Sequence, residues 1–349
     1  MAIQASFTLT PNEIYETLAN MIISQEVFAD NIGKHQTLVD KARTDGGLYG
    51  DTKLYYATDV LKSHDWLNDE EAANLLALDR PEDPEVQAIK LDTFRQIRLT
   101  VDNYLTKRAF SDEGTFASFN GVMLGWMRET KRIYDGTLYN VFIGTTKSAE
   151  EKQNVTVAIK SIEDPKMEAM TIAQALADLM VEMGDYSREF NDYGNLRSYS
   201  EDGIKVVWNS KYVNKIRKID LPTIFHKDGL MDKFEEEVLP SRYFGNVIAD
   251  AHTSQAGERS VVEKDYGSVH VFPGDVIPTG SSVAAKEAYT EDADVICKVL
   301  VKLPPYMSAF EVGTTFFNPR SLTENHYLTF GHNSLQYLKN YPFITVKAV

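Results

Sequence analysis

Phe116, Phe119, Met123, Trp126, Met127, Thr130 and Ile133 recur at helical spacing, the strongest amphipathic pattern in the chain. Ser111 is placed to cap the helix they form. A stripe of this width cannot stay in water, so the helix must lie against another element of the same fold. A stripe of Met and aromatic residues at this spacing reads as core rather than as a ligand box. We expect it to be the spine of a first domain. Asp135-Gly136 interrupts the pattern, and Leu138, Val141, Phe142 and Ile143 take up the same direction beyond it.

The elements around this spine come in irregular order. Thr10-Pro11 opens an amphipathic helix through Ile14, Leu18, Met21, Ile22 and Phe28, with Thr10 as N-cap and Pro11 at the first helical position. Lys53 to Thr58 reads as extended. Trp66 to Leu78 reads as a short helix with an acidic first turn, closed by Pro81 and Pro84. Ile97, Leu99 and Val101 alternate with Arg98, Thr100 and Asp102, as a strand with one buried face does. Lys53 to Val101 is therefore an out-and-back excursion with little core of its own.

Further on, Val155 to Ile159 is strand-like, and Asp164-Pro165 opens a helix through Met167, Ile172, Leu176, Leu179, Met180 and Met183 that Gly184 stops. Ile204 to Trp208 and Ile296 to Leu303 read as extended, Leu230 to Leu239 as helical, and Ala256 to Ala288 as a long exposed loop. From Phe316 to Val349 a turn is followed by two extended segments. Regular βαβ alternation is absent, so the fold class is α+β rather than a doubly wound sheet.

The motifs that announce chemistry are missing. None of the seven histidines stands in a His-Glu-x-x-His arrangement, and a single cysteine excludes a thiolate zinc site. There is no Gly-x-Ser-x-Gly elbow and no Gly-x-x-x-x-Gly-Lys-Ser/Thr loop. Cys297, between Ile296 and Lys298 in an apolar strand, reads as an inert core thiol that also has no internal partner for a disulfide. Accordingly we assign no catalytic, cofactor-binding or metal-binding residue and expect no cofactor. The least poor candidates for a scattered acid-base site are His226, Asp228, Asp250 and His252, and they carry the alternative reading of a cytosolic acidic enzyme or binding module.

Net charge is -15, which disfavours a surface that grips nucleic-acid phosphates, because such binding draws on Lys and Arg displacing counterions. Lys211 to Lys218 is the one locally basic stretch, and it reads as a solvated face or a patch meeting an acidic neighbour. The start of the chain lacks a signal-peptide pattern, and no apolar run has the length of a membrane span, so we expect a protein made in the cytosol without membrane contact.

Four short pieces, in this order, carry a family likeness: Thr115-Phe116-Ala117-Ser118-Phe119, Leu196-Arg197-Ser198-Tyr199-Ser200-Glu201-Asp202-Gly203, Phe244-Gly245-Asn246-Val247 and Asn318-Pro319-Arg320. With the order of arm, excursion, spine helix, mixed domain and closing strands, the chain resembles the major capsid proteins of tailed bacteriophages. The fold of that family is named after phage Hong Kong ninety-seven, and the nearest likeness is to head proteins of short-tailed phages of the phi-twenty-nine type.

The resemblance implies an N-terminal arm over 1–45, an extended loop over 46–101, a peripheral domain over 102–154 and 316–349 that contains the spine helix, and an axial domain over 155–315. It also implies a non-enzymatic virion protein. Copies would assemble through pentamers and hexamers into an icosahedral shell around double-stranded DNA, with a scaffolding protein and a portal as further partners and no sequence-specific contact to the DNA. The sequence stops at Val349 without an appended immunoglobulin-like module, so no decoration role is carried over.

Overall fold

The structure is a computed structural model, and it describes residues 37–46, 52–63, 78, 80–102, 113–217, 235–246, 260–262, 269–270, 290–291 and 294–349. The expected N-terminal helix from Thr10 and nearly all of the expected helix from Trp66 to Leu78 lie outside these residues. In chain order the elements begin with α1 (Thr37–Ala42), β1 (Arg43–Asp45), β2 (Thr52–Ala57), β3 (Glu85–Asp102) and α2 (Glu113–Thr145). They continue with β4 (Asn154–Val157), α3 (Pro165–Gly184), β5 (Lys205–Asn209), α4 (Ser210–Arg217) and β6 (Glu235–Leu239). Four short strands follow: β7 (Gly245–Asn246), β8 (Ser260–Val262), β9 (Val269–His270) and β10 (Thr290–Glu291). The last four are β11 (Val295–Leu300), β12 (Tyr306–Asn318), β13 (Thr323–Asn333) and β14 (Phe343–Ala348).

The chain forms two compact units. The first takes described residues within Met1–Asp51, together with Lys90–Thr137 and Tyr306–Ser334. Within it β1, β12, β13 and the Lys90–Asp102 part of β3 are neighbours in that order in one sheet. β12 and β13 form a long antiparallel hairpin, from Ser308 opposite His332 to Asn318 opposite Thr323, and Leu322 in the turn adopts a positive φ of 55°. β13 pairs antiparallel with β3 from Thr323 opposite Asp102 to Asn333 opposite Leu91. In β3 the alternation expected from the sequence holds: Ile97, Leu99 and Val101 are the more buried positions and Arg98 and Thr100 are exposed.

α2 differs from expectation in two ways. It is continuous over 33 residues, with Asp135 and Gly136 inside it rather than interrupting it. Its buried stripe is also not the apolar one read from the sequence: Trp126 is 56% and Ile133 38% exposed, whereas Met127, Lys131 and Asp135 are buried. Lys131 and Asp135 stand one turn apart and pair at 2.9 Å, so two charges occupy core positions that a hydropathy pattern reserves for apolar residues. The helical hydrogen bonds leave Asp135 no reason to break the turn. The side chains of Phe116, Phe119 and Met123 lie outside the described residues.

The second unit takes Thr52–Ile89, Leu138–Pro305 and Leu335–Val349. Its sheet has the order β4-β14-β11-β5-β6, with β11 antiparallel to both β14 and β5 and the outer pairs β14/β4 and β5/β6 parallel. All six residues of β11 are buried. α3 begins as expected, with the Asp164 side chain accepting from the Lys166 amide at 3.0 Å and Pro165 in the first turn. Its Ile172, Leu176, Leu179 and Met183 enter one apolar cluster with Val206, Trp208, Ile296, Val299, Ile344 and Val346. Gly144, near the end of α2, faces the Tyr243 backbone so closely that any Cβ would collide with it.

The sheets depart from two further expectations. Glu235–Leu239 is a strand, not a helix: pairing with β5 and the contacts of Glu235 with Lys205 and of Glu236 with the Trp208 indole outweigh the helix preference of three glutamates. The closing segment 316–349 is also divided between sheets, because β13 joins β12 and β3 whereas β14 pairs with β11 and β4. Both segments are extended, and nothing in their local pattern says which sheet each will enter. Within the expected loop Ala256 to Ala288, β8 and β9 pair antiparallel.

Candidate assembly surfaces

His226, Asp228, Asp250 and His252 lie outside the described residues, so the structure brings none of them together. Among the described residues no three His, Cys, Asp or Glu side chains are grouped as metal ligands, and no helix is long and apolar enough to cross a membrane. Cys297 is fully buried in β11, where burial pushes its thiol pKa well up and leaves it unreactive. The basic stretch from Lys211 falls on α4, whose Tyr212 and Val213 are buried in the second unit while Lys211 is exposed.

The titratable groups at the centre of the first unit are engaged in structure. Asp135 accepts hydrogen bonds from Lys131 Nζ at 2.9 Å and from the Tyr306 hydroxyl at 2.6 Å, with Arg43 of β1 at 3.5 Å. Burial, then the Asp135 charge, drives the Tyr306 pKa far up, so its hydroxyl remains a donor. His332 is 4% exposed, and burial lowers its pKa, so the ring is neutral at pH 7. Its Nδ1 lies 2.9 Å from the Asn333 carbonyl and therefore donates, which leaves Nε2 to accept from Tyr134 at 3.0 Å. His326, also buried, pairs with the Thr315 hydroxyl at 3.1 Å. Sequence reasoning missed the Lys131–Asp135 pair, although their four-residue spacing on a helix was a usable signal.

What the surface does offer is apolar area on extended strands. Leu54 and Tyr56 of β2, Phe94 of β3, and Val312, Phe316 and Phe317 of β12 are all exposed, Tyr56 at 64% and Phe316 at 60%. Val60 and Leu61, just beyond β2, are exposed as well. Exposed large apolar side chains also lie off the strands, Val181 and Tyr186 among them, and those on β2, β3 and β12 are candidates for contact with other protein. The start of the excursion is tied down within the second unit: Asp59 accepts from the Leu196 amide at 2.9 Å and from Arg188 at 2.6 Å. Those bonds hold the Asp59 carboxyl down at about 2.

A cleft of about 410 Å3 lies in the first unit between α2 and the hairpin, lined by Met127 and Arg128, by Gly313 and Thr315, and by His326 and Leu328. It is open, Glu311, Thr314 and Tyr327 also line it, and its one histidine is engaged with Thr315.

No protein-family model matches the sequence, and no curated protein matches it. Solved structures do. The chain superposes on a chain of the capsid structure of Staphylococcus phage Andhra with a TM-score of 0.58 at 10% identity, covering 100% of this chain and 89% of that one. It superposes on a chain from the structure of the head fiber and inner core protein gp22 of native bacteriophage P68 with a TM-score of 0.60 at 11% identity, covering 93% and 87%. The chain thus has an α+β fold found in phage particles, shared over nearly its whole length.

Proposed function

We propose that this protein is a major capsid protein, a structural component rather than an enzyme, many copies of which build the icosahedral head of a tailed bacteriophage around its double-stranded DNA. The observation that carries this reading is the superposition of the entire chain on a chain of a phage capsid at a TM-score of 0.58. The apolar side chains exposed on β2, β3 and β12 support it, since they need a protein partner that the chain itself does not supply among the described residues.

In this reading residues 1–45 are the N-terminal arm and 46–101 the extended loop. The peripheral domain with the spine helix was expected over 102–154 and 316–349 and the axial domain over 155–315, and because β14 pairs with β11 and β4 we assign 335–349 to the axial domain instead. Within that group the reading places it with the head proteins of short-tailed phages of the phi-twenty-nine type. Heterologous contacts close copies into pentamers and hexamers, a scaffolding protein and a portal take part in assembly, and the DNA is enclosed without sequence-specific binding.

Assembly balances apolar burial between copies against repulsion between subunits that each carry a net charge of -15. Added salt shortens the reach of that repulsion to ~8 Å at physiological ionic strength and should therefore promote assembly. The test is electron microscopy of the purified protein, with and without scaffolding protein, across a salt series. Rings or shells that grow in yield with salt are expected. A monomer that persists at every concentration, with or without scaffolding protein, would overturn the reading.

A further inference from the structure

β12 has two edges, and among the described residues only one is filled along its length. β13 covers one from Ser308 to Asn318. On the other, β1 pairs with Tyr306 to Ser308 only, and the Gly46 amide adds a last bond to the Ser308 carbonyl. The described residues of this stretch stop at Gly46. From Glu311 to Asn318 no described residue pairs with the outer edge, and Glu311 to Phe317 are exposed. An open edge of this kind, with Val312, Phe316 and Phe317 on it and no Lys or Pro within it, is a template for another strand.

We propose that this edge pairs antiparallel with the same edge of a second copy, about a two-fold axis at Thr315. The inference deepens the head-protein reading by naming one contact between copies, and rests on it for the abundance of second copies. Charge selects the arrangement. Glu311 stands at one end of the open stretch and Arg320 just past the other, so antiparallel pairing brings Glu311 beside the second copy's Arg320, twice, whereas parallel pairing would set like against like.

Geometry selects the register. A two-fold relating antiparallel edge strands stands perpendicular to the sheet, so the same face of both copies points the same way and only residues of that face can oppose each other. Glu311, Gly313 and Thr315 lie opposite Phe330, Leu328 and His326, all buried, which defines the face turned toward α2. Phe317 shares that face by its position in the strand. Centring the pair on Thr315 sets Phe317 of each copy opposite Gly313 of the other. A Cβ on Gly313 would meet nothing within 4 Å, and the cleft lined by Met127 and Leu328 opens there, so an aromatic ring has room to cover the glycine. One strand pair buries well under the roughly 1,000 Å2 that a stable interface needs, so the contact belongs to a many-copy assembly or to concentrated protein rather than to a free dimer.

The test is a cysteine at the axis. Thr315→Cys should give a disulfide-linked dimer on oxidation of assembled particles or of concentrated protein, because residue 315 faces itself. Arg320→Cys, far from the axis, should give none, and native Cys297 is buried and silent. Thr315→Lys and Thr315→Val both remove the hydroxyl that pairs with His326 and should lower the thermal midpoint of the monomer alike, but only Thr315→Lys sets two ammonium groups against each other and should lower assembly yield roughly tenfold below that of Thr315→Val.

Particles that form without the Thr315→Cys link and tolerate Thr315→Lys would overturn the edge contact and leave the head-protein reading standing. A Thr315→Cys dimer in a protein that never forms shells would support the contact and overturn that reading. Amide exchange decides the remaining occupants. Protection of 311–318 already complete in the monomer means the same chain covers the edge, and protection that appears only with scaffolding protein means a different partner does; either result sinks the proposal.

Discussion

The two units are held together by different physics. In the second, a sheet strand with all six residues buried and a helix with six buried residues make one apolar cluster. Its one buried charge in β11, Lys298, donates to the Thr146 carbonyl and to the Thr345 hydroxyl, each at 2.7 Å, and lies over the Phe343 ring. In the first unit the corresponding place is taken by Lys131, Asp135 and Tyr306 with Arg43 beside them, while apolar residues such as Trp126, Val312 and Phe316 face outward. The second unit draws its stability chiefly from one large apolar cluster, whereas the first sets a buried ion pair among its core residues, and both leave large apolar side chains exposed.

The largest expected effect comes from splitting the charged core. Asp135→Ala leaves buried Lys131 with only the more distant Glu311 carboxylate at 3.9 Å and the Phe330 ring, removes the carboxylate that accepts from the Tyr306 hydroxyl, and should cost about 3–5 kcal/mol in urea unfolding. Replacing both, Lys131→Met with Asp135→Leu, should restore most of it, because two apolar residues of similar volume need no mutual compensation. An Asp135→Ala loss below about 1 kcal/mol would show that the first unit is not organised by this pair.

The next effect contrasts apolar residues across the two units. Ile344 in β14 is fully buried, and Ile344→Ala should cost about 2–5 kcal/mol through lost transfer energy and the cavity left behind. Phe316→Ala removes a larger side chain that is 60% exposed and should change stability by less than about 0.5 kcal/mol while lowering the yield of assembled particles. If Phe316→Ala destabilises the isolated monomer as much as Ile344→Ala does, the outward apolar residues serve the fold and the contrast collapses.

The same contrast sets how much the sequence could disclose. The second unit was legible where burial and periodicity agree: the Asp164-Pro165 start of α3, its buried stripe and the extended runs of β5 and β11 fall where the pattern puts them. The alternation in β3 was legible for the same reason. The phase of α2 was not, because Lys131 and Asp135 look like surface residues until their pairing is seen, and Trp126 and Ile133 look like core until their exposure is. The strand at Glu235 was hidden because its stability comes from β5 rather than from its own residues. Which sheet each closing strand joins is a matter of long-range pairing. The resemblance to phage capsid proteins rested on the order of segments, and order survives local misreading of a helix phase.

The smallest effect concerns how the excursion is tethered, and it depends on pH. Asp59 accepts from the Leu196 amide and from Arg188, and these bonds, the backbone one foremost, depress its carboxyl to about 2 from an ordinary value of about 3.9. A depressed carboxyl stabilises the folded state above the unfolded value, and that contribution is lost as pH falls through the folded one. The tether should therefore be fully present at pH 7, weaken from about pH 4 downward and be gone below about pH 2. Arg188 is half exposed, so solvent screening keeps the gain modest. Thermal midpoints of wild type and Asp59→Asn should differ at pH 7 in favour of wild type and converge as the pH drops through that window. A constant difference down to pH 2 would mean that the carboxylate charge is not what fastens the base of the excursion, and that the Arg197 bond to the Thr58 carbonyl suffices.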